Sequence, residues 1–271
     1  MYKNETIPED IKAKYISELD RDPEKDFSSE FIRTTDLEAA LLRRYGISGL
    51  NLVLTKKGNG SIYPLGEFPS NCPWYSINSK SHDEAIDTIF ISIKSKIPNL
   101  ISAMKERVRF IYVTDKDSSW SLNYLLDMKL YDGRDHFLIY SGGLSECNPK
   151  PNENLVKFDW EIPRDLKDFY AVHNGFGALG DSVYVLDSER ISVMGEMMNP
   201  ITKEQNVEPE GYCFNDLLEF FPDGAGNAQC FIRKGKSNNN TVDWDHEVWE
   251  ISDEISFFEF IDRRMSELDE E

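Results

Sequence analysis

The sequence is poor in the residues that hold metals and drive nucleophilic chemistry. It has four cysteines and four histidines in 271 residues. Cys72, Cys147, Cys213 and Cys230 form no Cys-x-x-Cys pair, and none stands near a histidine, so a zinc site is not expected. Read as cytoplasmic, the chain is expected to keep these as reduced thiols, mostly buried. It has no Gly-x-Ser-x-Gly elbow, no His-Glu-x-x-His and no Gly-Lys-Ser/Thr phosphate loop. Long apolar runs are also missing. Stretches such as Val183–Leu186 and Phe257–Phe258 fall far short of the ~18 residues that cross a bilayer. The opening Met1–Asp10 has no apolar segment, so a secretory signal is not expected and a cytoplasmic location is.

Basic charge is the other scarcity. Thirty Lys and Arg face 49 Asp and Glu, a net charge of −19 and a pI near 4.6. Such a chain cannot replace the counterions around duplex nucleic acid, and anionic lipid repels it. The deficit is local. Residues 1–150 hold 20 basic and 22 acidic side chains, whereas residues 151–271 hold 10 and 27, a net of −17. The break coincides with Ser141–Asn154, rich in Gly, Pro, Asn and Ser, which interrupt helix and strand alike. Two units are therefore expected, 1–150 and 151–271, with the boundary near 145–155. Apolar residues at 40% and aromatics at 12% suffice for ordinary cores.

The first unit reads as mixed α/β. Asp36–Tyr45 has helical spacing ended by Gly46, and Leu50–Thr55 reads as a strand. Tyr63–Trp74 is expected to be irregular. Glu84–Val108 reads as mostly helix, broken near Ile97 by Pro98. Arg109–Thr114 and His136–Tyr140 read as strands.

The second unit reads as α+β, a mainly antiparallel sheet with flanking helices. Pro163 suits the first position of a helix, Asp165 its first turn and Asn174-Gly175 its end, with Leu166, Phe169, Tyr170 and His173 on the apolar face. Ser182–Leu186 and Ala228–Arg233 read as strands, and Val242–Ile251 as strand and turn. Asp223–Asn227 reads as a tight turn, since it lacks the glycine spacing of a nucleotide loop. Ser252, or Ser256 with Glu259, is expected to cap a last helix, with Ile255, Phe258, Ile261, Met265 and Leu268 on its inner face.

Two histidines invite chemistry. His173, near a helix end, suits a cation or a donor to the last carbonyls, and a structural role is favoured over a catalytic one. His246 lies in Asp243-Trp-Asp-His-Glu247, and carboxylates around an imidazole can bind metal or move protons. Strand alternation, however, would set Asp243, Asp245 and Glu247 on one side and Trp244 and His246 on the other. A structural or partner-facing role is favoured here too.

Ile162-Pro163, the aromatic pair Phe169-Tyr170, Asn174-Gly175 and Gly177 together resemble the opening motif of the SUKH superfamily. That group holds bacterial immunity proteins and fungal regulators of cell-wall synthesis. Asp223, Gly224, Gly226 and Asn227 before a strand, then Trp244–Glu247, then Phe257, Phe258, Phe260 and Ile261, continue the resemblance in order, over about 155–268. Family members carry a helix immediately before the Ile-Pro step. Here Asn148–Trp160 is rich in Pro and Asn, so that helix is expected to be missing, or supplied by Ser121–Lys129 or elsewhere in the first unit. The resemblance implies a non-enzymatic domain without cofactor or metal that binds a protein partner. That partner would be a toxin, often a nuclease with a basic groove; the alternative is a regulatory scaffold. An acidic face that includes Asp223, Asp243, Asp245 and Glu247 would suit a basic partner.

Overall fold

A computed structural model describes residues 61–116, 119–129, 135–178, 184–205, 211–233, 239–252 and 254–266. The expected helix at 36–45 and strand at 50–55 lie outside them. The described residues form helices and antiparallel sheets, an α+β architecture. The chain divides into two compact units. Among the described residues, one comprises 61–85 and 107–140, the other 86–106 and 141–266.

In the first unit, β1 (Ser61–Pro64) pairs antiparallel with β2 (Val108–Lys116), which pairs antiparallel with β3 (Ser119–Lys129). Thus Ser121–Lys129 is strand and supplies no helix. Its aromatic and branched residues pack well on a pleated surface: Trp120, Leu122, Tyr124, Leu125 and Leu126 are all buried. Opposite them, Ile111, Tyr112 and Val113 are buried in succession, so β2 is covered on both faces. The stretch expected to be irregular gives its first residues to β1. Beyond them Asn78 organises it, with Oδ1 accepting from the amides of Gly66 at 2.8 Å and Phe68 at 2.9 Å.

The expected helix around Pro98 is two helices, α1 (His82–Ile89) and α2 (Pro98–Arg107). Pro98 begins the second, where its missing N–H costs nothing. A fourth strand, β4 (Asp135–Gly143), follows β3, and the chain enters the second unit at Ser141.

That unit also takes in residues 86–106, which lie far before the break in sequence charge. Asp262 holds them: its carboxylate, largely buried, accepts from the Leu100 amide at 2.8 Å and from Asn99 Nδ2 at 2.9 Å, covering open donors in the first turn of α2.

From 141 onward come α3 (Glu153–Lys157), α4 (Arg164–Tyr170), β5 (Phe176–Ala178), β6 (Tyr184–Val185), β7 (Ser192–Val193) and α5 (Gly195–Gln205). Next are β8 (Leu217–Pro222), β9 (Ala228–Ile232), β10 (Asn240–Asp245), β11 (Glu250–Ile251), β12 (Ile255–Ser256) and α6 (Phe257–Arg264). An antiparallel sheet runs β11-β10-β9-β8-β7, with β12 pairing on the start of β10.

Met194, Met198, Phe214, Leu217, Ala228, Cys230, Ile232, Val242 and Trp244 form one buried cluster on this sheet. A second is aromatic: Phe257 lies 5.2 Å from Phe220, 5.3 Å from Phe231 and 5.8 Å from Phe169, ring centre to ring centre. Such ring pairs add to the energy of burial alone. Ser256 caps α6, its Oγ accepting from the Glu259 amide at 3.2 Å, so of the two expected starts the later is used. The inner face of α6 is broader than expected. Phe257 and Phe260 join Phe258, Ile261 and Met265 in burial, Ile255 belongs to β12, and Leu268 lies outside the described residues.

Candidate functional site

The helix expected to be missing before Ile162-Pro163 is present as α3. Asn152 makes it possible, its Oδ1 accepting from the Leu155 amide at 3.0 Å. The same side chain's Nδ2 faces the carbonyls of Ile191 at 2.9 Å, Glu189 at 3.1 Å and Ser188 at 3.3 Å. Asn154 continues the pattern, with Oδ1 accepting from the Val193 amide at 2.7 Å and Nδ2 donating to Glu196. The asparagines that read as breakers therefore cap one helix and hold the 188–193 segment.

Ile162 and Pro163 are buried, and Pro163 precedes α4 by one residue instead of opening it. Phe169 and Tyr170 are fully buried, and the Tyr170 hydroxyl donates to the Leu186 carbonyl at 2.7 Å. Burial pushes that phenol well above its ordinary pKa. Asn174 is the hub: Oδ1 accepts from the Ser188 amide at 2.8 Å, while Nδ2 donates to Glu146 and to Ser188 Oγ, each at 3.0 Å. Gly175 follows at φ +83°, a left-handed conformation that glycine adopts freely, but α4 ends at Tyr170, before the expected Asn-Gly stop. These residues are structural: they bind the loop after β4, α4 and the 186–191 turn into one unit.

His173 is not a cation at a helix end. It lies beyond α4, fully buried and stacked on Phe176 with ring centres 5.2 Å apart, and its Nδ1 is 3.1 Å from the Gly143 carbonyl. Since a carbonyl only accepts, Nδ1 carries the proton in this pair. Burial lowers its pKa to about 4, against a smaller upward pull from the Gly143 carbonyl, so the ring is neutral near pH 7. Gly142 and Gly143 make room for this crossing. A Cβ on Gly142 would come within 2.3 Å of the His173 ring, and one on Gly143 within 2.3 Å of the Asn174 carbonyl oxygen.

Asp223 lies in the turn between β8 and β9, Asp243 and Asp245 lie at the end of β10, and Glu247 lies in the turn that follows it. Asp223 faces its own turn, with Oδ1 accepting from the amides of Ala225 at 2.7 Å and of Gly226 and Asn227 at 3.0 Å. Its Oδ2 accepts from Asn227 Nδ2 at 2.9 Å, which fixes the orientation of that amide. Asn227 Oδ1 then meets the His246 amide at 3.0 Å and His246 Nδ1 at 2.8 Å, so Nδ1 bears the proton there as well. The link from Asp223 through Asn227 to His246 fastens one turn to the other.

Strand alternation holds only as far as Asp245. Trp244 is buried beside exposed Asp243, but His246 and Glu247 lie past the strand, in a turn closed by Asp245. Asp245 Oδ1 accepts from the Glu247 amide at 2.8 Å, and its carbonyl from the Trp249 amide at 3.0 Å. Trp249 adopts φ +59°, a conformation bulky residues avoid; its carbonyl accepts from Tyr212, whose hydroxyl also receives Trp244 Nε1. Although the residue as a whole is exposed, the Asp243 carboxyl lies above the ordinary carboxylate range, first through partial desolvation by its neighbours, then through the charges of Asp245 and Asp223. These acids stand close enough to repel one another.

Among the described residues, no three His, Cys, Asp or Glu side chains converge as a metal-binding group. No helix among them is long and apolar enough to cross a membrane. Of the thiols, Cys72 and Cys230 are buried while Cys147 and Cys213 are exposed, fewer buried than expected. Burial raises the Cys230 thiol far above its usual pKa, which makes it a poor nucleophile. Compared with known proteins, the chain matches no family model, no curated protein and no solved structure.

Proposed function

We propose that the protein is a non-enzymatic binding protein, an immunity protein of SUKH type. It would neutralise a toxin in the cytoplasm by covering the toxin's basic surface. The observation that carries this reading is the gathering of Asp223, Asp243 and Asp245 at one end of the sheet, where the charges of Asp245 and Asp223 add to burial in raising the Asp243 pKa. Like charges held together by a rigid pair of turns store repulsion that a cationic partner relieves. The net charge of −17 over residues 151–271 adds long-range attraction for the same partner, and a nuclease groove evolved for phosphates is such a surface. The order of the sequence motifs supports the same reading. No cofactor or metal is required, because the protein acts by occupying a surface.

The test is co-expression with a toxin encoded beside this protein, followed by co-purification and stopped-flow association. A one-to-one complex is expected, with an association rate that falls steeply as salt rises. The double variant Asp243→Asn with Glu247→Gln avoids the Asp223 and Asp245 oxygens that hold the turns. It should slow association on the order of tenfold while leaving the melting temperature in place or raising it, since it removes part of the repulsion. Association indifferent to salt and to this variant would overturn the acidic-face reading; turnover of a small substrate would overturn the non-enzymatic one.

A further inference from the structure

We draw no further inference here: the strongest candidate, the tip made by the 223–227 and 245–249 turns, where Asp223, Asp245 and Glu247 lie with exposed Val248, is an acidic cluster that belongs to the site already described, and nothing in the structure shows what covers it.

Discussion

Replacing Asn174 by alanine tests whether one side chain holds the Ile162–Gly175 motif together. The variant loses an acceptor for the Ser188 amide, a donor to Ser188 Oγ and a charge-assisted donor to Glu146. Neutral hydrogen bonds contribute about 1 kcal/mol each and bonds to charged groups about 1.5–3. Asn174 is only half-buried, so water restores part of the loss, and a net cost of roughly 2–4 kcal/mol is expected. Urea unfolding gives this number, and amide exchange at Ser188 localises it. The Asn174→Asp variant sharpens the argument. It keeps the acceptor for Ser188 but sets a second carboxylate beside Glu146. Repulsion raises the folded-state pKa of the pair, so the folded form holds protons that the unfolded chain gives up. The destabilisation should therefore be small at acidic pH and grow as pH rises through the carboxylate range. An Asn174→Ala cost below about 0.5 kcal/mol, or an Asn174→Asp cost indifferent to pH, would refute the reasoning.

His173 should make the fold sensitive to acid. Its folded pKa of about 4 lies below the ordinary 6.5, so its stabilising contribution is complete above pH 6.5 and lost as pH falls toward 4, by about 3 kcal/mol in all. Denaturant midpoints measured across that window should drop for the native chain and flatten for His173→Gln; parallel curves would mean that water reaches the ring. Phe257→Ala should cost about 3–5 kcal/mol, since Phe169, Phe220 and Phe231 all face the lost ring; a midpoint shift near zero would place the core elsewhere. Asn152→Ala should lower stability by about 1–2 kcal/mol and release amide protection at Leu155; unchanged protection there would show that α3 stands without its cap.

The sequence announces features that depend on neighbours along the chain. Ser256 with Glu259 marks the start of α6, and the Asp223–Asn227 turn needs only residues of its own; Asn174-Gly175 marks a turn, but α4 stops earlier, at Tyr170. Features set by distant partners were harder to read. Asn152 has the composition of a breaker and the position of a cap; its bond to the Leu155 amide is local, but the carbonyls at 188–191 that hold its other side-chain atom are not in a local window. Segment 86–106 groups with the second unit through partners far along the chain: Asp262 receives the Leu100 amide proton, Lys96 pairs with Asp168, and Phe90 packs on Phe176. Likewise His246 and Glu247 continue a plausible strand pattern, but the Asp245 carboxylate closes a turn at that point. Of the candidate site, the acidic residues were legible as charge. Their division into Asp223 and Asp245, turned toward backbone amides, and Asp243 and Glu247, placed on the outer surface, required coordinates.

The crossing of Gly142–Gly143 over His173-Asn174 has a genetic consequence. A methyl group at position 142 meets an imidazole wedged against Phe176, and one at 143 meets a main-chain oxygen that no rotamer change can move. Position 142 is thus tied to whatever occupies 173 and can drift only in step with it, through paired substitutions. Position 143 admits no such companion change. A saturation library scored for folding should return this doublet as a fixed point, with glycine the lone survivor at its second letter.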